Sequence, residues 1–227
     1  MPMSRATHPY AREARFLSRF DPGVALNHGG RQRSKQLAEL LSTCSVPTVP
    51  IPTPRLGSYL RALVRTPVRW LRSLPTLLRA ISAGMTLKGA FAAHATRLAL
   101  HDVPEVLQRR RVYLETGLDW TMLASLSLRE LDVPHVILPQ NVEWLVPGQG
   151  SGPFRSMRHA KAFELDMYLK AEEVWTISEL DAATLRSAGV REVRCLPYAP
   201  PAEIDARWRA IAVRRGGTSK AGYVILG

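Results

Sequence analysis

Residues 161–197, KAFELDMYLKAEEVWTISELDAATLRSAGVREVRCLP, pack a helix, a strand, a second helix and a second strand into one uninterrupted run. Glu173–Ile177 (EVWTI) is rich in β-branched and aromatic residues, the composition of a strand. Ser178 with Asp181 forms a capping-box pattern that opens the following helix, and Gly189 ends it. Arg191–Pro197 (REVRCLP) then reads as the next strand. Working backward, the helix before EVWTI extends to Pro153, with proline at its first turn. Short strands alternating with helices of this length imply a parallel sheet with helices on both faces. The expected class is therefore α/β, a doubly wound Rossmann-like sheet whose ligand sits at the carboxyl ends of the strands.

The same alternation continues toward the amino terminus. Val133–Pro139 (VPHVILP) is a continuously apolar strand suited to burial on both faces. Arg111–Gly117 (RVYLETG) is a strand running into a loop, and Asp119 is placed to cap the helix WTMLASLSLREL. From residue 55 to about 100 the pattern is helical, in two or three pieces punctuated by Pro67, Pro75 and Gly84, so a helical insertion is expected. Val46–Pro54 (VPTVPIPTP) has β-branched residues but four prolines, which confine it to an edge strand or a connector. Arg15–Phe20 is a candidate first strand, followed by the turn signal Asp21-Pro22-Gly23.

Between that turn and the prolines lies Ala25–Ser42 (ALNHGGRQRSKQLAELLS). Leu37, Leu40, Leu41 and Cys44 recur at i, i+3, i+4 and i+7, the spacing of one apolar helix face. Gly29 and Gly30 stand where this helix starts. They are either turn punctuation with solvated arginines beyond it, or a floor on which a phosphate rests.

Composition sets the outer bounds. The chain has 227 residues, a 46% hydrophobic content and a net charge of +12. That is enough apolar material for a globular core, and the charge favours an anionic partner: nucleic acid, a membrane surface or a phosphorylated small molecule. No run is long and apolar enough for a transmembrane helix, and the basic first twenty residues lack a secretory signal's apolar core. Cys44 and Cys195 match no metal or redox spacing and read as reduced, buried thiols of a cytosolic protein. The histidines show no ligand spacing, and His135, inside an apolar strand, reads as structural. No Asp-x-Asp metal motif occurs, so no metal and no resident cofactor are expected.

Three stretches together resemble the amino-terminal domain of GT-B glycosyltransferases of the group-1, family 4-like set. HGGRQRSKQLAELL is similar to that family's Gly-Gly loop entering its first long helix. PQNVEW (Pro139–Trp144) resembles its His-Asn-x-Glu element, with Gln140 where histidine is frequent. The run from Lys161 to Pro200 has the family's order of helix, strand, Ser-Glu, helix and strand ending in proline, with Tyr198-Ala199 in place of Asn-Gly. The resemblance divides the chain into a flexible lead (1–14), the acceptor-side domain (15–199), a linker (200–220) and the first strand (221–227) of a donor-binding domain that continues beyond the sequence.

The resemblance implies sugar transfer, with retention of configuration, from a nucleotide-diphosphate donor to a saccharide or lipid-linked acceptor. The nucleotide sugar is a co-substrate. Gly29, Gly30, Arg31 and Arg33 are the candidates for the donor phosphates, since backbone N–H groups at a helix start stabilise leaving-group charge. His28, Glu115, Thr116, Asn141 and Glu143 are candidates for the cleft or the acceptor. Asn141 and Glu143 read equally as a loop cap and a surface carboxylate, and Ser178 with Glu179 reads as a helix cap. The catalytic group is unassigned.

Arg55–Ser82 carries the densest positive charge. At about 100° per residue, Arg61, Arg65, Arg69, Arg72 and Arg79 fall within roughly an 80° arc, opposite Leu63, Trp70, Leu71, Leu74, Leu77, Leu78 and Ile81. Such a helix either packs its apolar face on the sheet or lies in an anionic membrane interface. The expected location is cytoplasmic, with peripheral attachment to the inner membrane face in the second case. A nucleic-acid-binding role is the rival that net charge suggests. No helix-turn-helix, zinc-finger or RNA-recognition signature supports it, and no nucleic-acid partner is expected. A GT-B-like domain acting only as an interaction module is the other alternative.

Overall fold

In the computed structural model, residues 14–18, 29–51, 56–101, 103, 111–117, 120–148, 150–198, 206 and 210 are described. The expected lead up to residue 13, the turn at 21–23, Asp119, most of the linker and the strand at 221–227 lie outside them.

Six strands form one parallel sheet in the order β2-β1-β3-β4-β5-β6. They are β1 (Ala14–Ser18), β2 (Thr48–Pro50), β3 (Arg111–Thr116), β4 (His135–Pro139), β5 (Glu173–Thr176) and β6 (Val193–Cys195). The proline-rich stretch yields only the three-residue β2, at the sheet edge, where a missing N–H breaks no ladder. Every residue of β4 is buried, as its unbroken apolar run requires.

Helix α1 (Gly29–Thr43) joins β1 to β2. The insertion between β2 and β3 comprises α2 (Leu56–Arg65), α3 (Pro67–Arg72), α4 (Leu74–Ser82) and α5 (Leu87–His101). Then α6 (Trp120–Glu130), α7 (Met157–Lys170) and α8 (Glu179–Ser187) link the remaining strands in turn. Side-chain alternation sorts these helices onto two faces. Phe16, Tyr113, Leu138 and Trp175 meet Leu37, Ala38 and Leu41 of α1. Leu17, Val112 and Leu114 meet Leu100, Ala124 and Leu128, while Ile137 and Val174 join the cluster built by α4–α8. Only the β1-to-β2 connection runs against the others, and right-handed crossovers then leave α1 as the sole helix on its face among the described residues.

Several boundaries differ from expectation. The buried face of α1 is Ser34, Leu37, Ala38 and Leu41, whereas Leu40 is 38% exposed and Cys44 is exposed. The stripe is rotated because Ser34 turns inward to a buried glutamate, and because α1 ends at Thr43, before Cys44. Cys195 is half-buried, its thiol 3.6 Å from the Ile177 carbonyl. Among the described residues the insertion breaks into four helices: Pro67 starts α3 and Ser73 separates α3 from α4.

Helix α7 begins at Met157 rather than Pro153. Ser156 caps it, accepting from the His159 N–H, while Pro153 and Phe154 pair instead with Thr86 and Met85. Ser178 caps α8 by accepting from the Asp181 N–H at 3.1 Å, as the capping pattern predicts, and Gly189 follows at φ +93°. His135 is buried between the Val133 carbonyl, 3.0 Å from Nδ1, and the Ser125 hydroxyl, 2.9 Å from Nε2. Nδ1 therefore carries the proton, and burial holds the ring below its ordinary pKa. Among the described residues no helix is long and apolar enough to cross a membrane.

Candidate functional site

The chain leaves β1 toward β2 on one side, whereas β3 lies on the other. The chain therefore leaves the carboxyl ends of the paired strands β1 and β3 in opposite directions, the switch point beside which open α/β sheets take ligands in a crevice. Ser18 ends β1, and Glu115 and Thr116 end β3. Helix α1 points its amino terminus at this same edge, because β1 feeds into it.

Glu115 is fully buried there. Its Oε2 accepts from the Ser18 hydroxyl at 3.0 Å. Its Oε1 accepts from the Ser34 hydroxyl at 2.6 Å and from Gln140 Nε2 at 2.9 Å. One carboxyl group thus ties together β1, the second turn of α1, β3 and the loop after β4. The Gln140 N–H also donates to the Thr116 carbonyl at 2.9 Å, so that loop is held through both main chain and side chain. Glu115 faces these protein donors rather than solvent, and acts in this arrangement as the post that fixes the start of α1 over the crevice.

Gly29 and Gly30 are the first two residues of α1 itself, not of a loop before it. The leading N–H groups of a helix have no intrahelical acceptors, so this end offers donors to an anion at the crevice. Arg31 is half-buried in the same turn. Arg33 points elsewhere. It is 2% exposed, donating through one terminal nitrogen to the Leu196 carbonyl at 2.9 Å and through the other to Gln36 at 2.7 Å. Gln36 in turn donates to the Pro197 carbonyl at 3.1 Å, and the Tyr198 hydroxyl to Gln32 at 2.6 Å. Burial lowers the Arg33 pKa and the nearby Glu115 charge opposes that shift. Arg33 thus clamps residues 196–198 against α1. His28 lies outside the described residues.

Asn141 is exposed at the bend after β4, and Glu143 is buried at the start of a short 3-10 turn (Glu143–Leu145). Beneath them sits Glu164 of α7, 1% exposed. Its Oε1 accepts from the Glu143 N–H at 3.0 Å and the Tyr168 hydroxyl at 2.6 Å, while Oε2 is buried with no hydrogen-bond partner among the described residues. Burial pushes the Glu164 pKa up to about 7, against the lowering effect of the Tyr168 hydroxyl and the backbone donors of Glu143 and Trp144, and with a further push from the Glu143 charge.

The site therefore brings together Gly29, Gly30, Arg31, Glu115 and Thr116 at the β1/β3 crevice. Asn141 and Glu143 stand beside it on the loop that Gln140 secures. Four contributors were not singled out from sequence: Ser18, Ser34, Gln140 as a tether, and Glu164. Glu164 left a trace, being an acidic residue inside the apolar stripe Ala160, Phe163, Met167 and Tyr168. Ser18 and Ser34 left none, for their partner is 97 and 81 positions away.

The five arginines of the insertion do not share one helical face. Arg65 on α2 and Arg72 on α3 are exposed, Arg69 is half-buried, and Arg79 on α4 pairs with Glu130 of α6 at 2.9 Å; Arg61 lies within α2. The breaks at Thr66 and Ser73 reset the helical phase. Leu63, Leu71 and Leu78, read from sequence as packing on the sheet or lying in a membrane interface, are exposed. No protein-family model matches this chain, and no curated protein matches it at a significant level.

Proposed function

We propose that this chain is the acceptor-side domain of a glycosyltransferase, moving a sugar from a nucleotide-diphosphate donor to a saccharide or lipid-linked acceptor. The observation that supports this most directly is the glycine start of α1 at the β1/β3 crevice, held by the Ser34–Glu115 hydrogen bond. A diphosphate leaving group gains charge as the glycosidic bond breaks, and pre-oriented N–H donors stabilise that charge without reorganising. Gly29 and Gly30 let the phosphate oxygens approach the backbone, with Arg31 as the adjacent cation. In this reading Arg33 and Glu115 shape the crevice, and Asn141 with the turn at Glu143 forms the acceptor wall.

Membrane attachment belongs to the same reading. Leu60, Leu63, Val64, Val68, Leu71 and Leu78 are exposed on α2–α4, interspersed with Arg65 and Arg72. Apolar side chains beside arginines suit the interface of an anionic bilayer, where a lipid-linked acceptor resides.

The test is transfer from a panel of nucleotide sugars by the gene's full product, comparing wild type with Gly30→Leu. The expected result is transfer from one donor that Gly30→Leu abolishes while the unfolding free energy stays within about 1 kcal/mol of wild type. Undiminished transfer by a folded Gly30→Leu protein refutes the phosphate role, and no transfer from any donor removes the enzymatic reading.

A further inference from the structure

A cavity of about 440 Å³ opens between α3 and α5, its lining including Arg69, Arg72, Ser73, Arg97, Leu98 and His101. It is not part of the crevice. Glu130, at the end of α6 and just before β4 begins, contacts both Arg79 and Arg97. That contact sets the Arg97–His101 end of α5 at the amino-terminal edge of the sheet, across the molecule from Glu115 and α1's first turn.

Three arginines and a histidine line this cavity, and none of its lining residues is acidic. From Leu40 to His101 the sequence contains no aspartate or glutamate, and the first to follow is Asp102, next to His101. The carboxylate that reaches Arg97 from another element is Glu130. It already accepts from Thr76 and, at 2.9 Å, from Arg79, leaving Arg97 a looser contact of 3.8 Å. Burial depresses the Arg97 pKa, the direction an additional anion would reverse. The His101 Nδ1 is buried and has no hydrogen-bond partner among the described residues.

The walls are firmly held. Trp70, between Arg69 and Arg72, stacks edge-on against buried His94 with ring centroids 5.2 Å apart. Ser73 Oγ donates to the Trp70 carbonyl at 2.8 Å and lies 2.5 Å from His94 Nε2, and the Tyr59 hydroxyl closes on the other ring nitrogen at 3.1 Å. Helix α3 is thereby pinned to α5, so the guanidinium groups converge from fixed backbone positions.

We propose that this cavity is a receptor site for a phosphate group. Guanidinium groups approaching from two helices, with an imidazole nitrogen beside them, match the several acceptor oxygens and double negative charge of a phosphate better than they match one carboxylate. The volume leaves room for the first organic group of a phosphate ester. Val68, also in the lining and 61% exposed, and Leu71, 57% exposed on the same helix, suit a phospholipid headgroup, whereas a soluble phosphate would use the same arginines. The site does not rest on sugar transfer and its test uses none, while Arg72, Val68 and Leu71 are shared with the membrane surface proposed above.

Two ligand arms separate the sources: calorimetric titration with inorganic pyrophosphate, and flotation with phosphatidylcholine vesicles with or without phosphatidic acid. Each is run on wild type, Arg72→Gln and Arg158→Gln. Arg72 is exposed and Arg158, exposed on α7, does not line the cavity, so both variants change the same charge without disturbing the core. One-to-one pyrophosphate binding, weakened at least about tenfold by R72Q and unchanged by R158Q, establishes the site with a soluble phosphate as ligand. Flotation only with phosphatidic acid, lost in R72Q and kept in R158Q, establishes it with a headgroup as ligand. No binding in either arm, or an R72Q effect no larger than that of R158Q, overturns the proposal.

Discussion

Replacing Glu115 by alanine should unfold the crevice from its centre. The substitution removes the acceptor of two fully buried hydroxyls, Ser18 and Ser34, and of the half-buried Gln140 amide. A buried donor left without its partner costs about 1–3 kcal/mol, so the two serines alone contribute about 2–6 kcal/mol. Gln140 adds less, since it is near enough to solvent to rehydrate. Set against a typical total of about 5–15 kcal/mol, the loss is large. Glu115→Gln is the informative control. Its carbonyl oxygen can still accept from Ser34 and Gln140, and the Ser18 hydroxyl can rotate to accept from the new amide, so a loss of only about 1 kcal/mol is expected. Urea unfolding followed by far-UV circular dichroism measures both. If E115A and E115Q differ by less than about 1 kcal/mol, Glu115 is not the tether that the geometry makes it.

Further outcomes follow from other parts of the fold. Glu164, raised from 4.5 to about 7 by burial between Glu143 and Tyr168, holds a proton in the folded state that the unfolded chain releases. Its contribution is therefore fully present below pH 4.5 and is lost as pH rises through about 7, a span worth roughly 3 kcal/mol. Glu164→Gln should flatten the stability-versus-pH slope between pH 5 and 7.5 in urea titrations; an unchanged slope contradicts it. Gly84 sits at φ +81° with a would-be Cβ 2.0 Å from the His159 ring. Gly84→Ala should lower the melting temperature by an amount equivalent to at least about 1–2 kcal/mol, and adding His159→Ala should recover the steric part alone. Val64, 79% exposed on α2, is predicted to enter lipid: Val64→Glu should weaken flotation with anionic vesicles at least about tenfold at unchanged stability. Cys44 should react with an aromatic disulfide reagent well before the half-buried Cys195, since reaction requires access to the thiol.

Much of the fold could be read locally. VPHVILP reads as a strand suited to burial on both faces, which holds for its His135–Pro139 part, and Ser178-x-x-Asp181 before an apolar run reads as a helix cap, because each pattern constrains backbone and solvent exposure within a few residues. The rotated face of α1 could not be read this way. Leu40 has the right spacing, but Ser34 takes the inward position because a glutamate 81 residues on needs a donor there. The insertion misled for a related reason. Proline spacing showed that it breaks, yet the reset of phase after Thr66 and Ser73 depends on how α3 docks against His94. The candidate site followed the same division, with Gly29 and Gly30 legible as a helix start and Arg33 not legible as a clamp on Leu196.

The amino-acid order thus specified that strands alternate with helices, that the sheet is parallel, and where the glycines meet a helix. These follow from period, propensity and capping, which act over a few neighbouring residues. Which glutamate is buried, which arginine faces a carbonyl, and how α3 and α5 enclose a cationic cavity follow from contacts between segments far apart in the chain. Packing brings those groups together and burial sets their hydrogen bonds and charge states, and neither force leaves a mark on a short stretch of sequence.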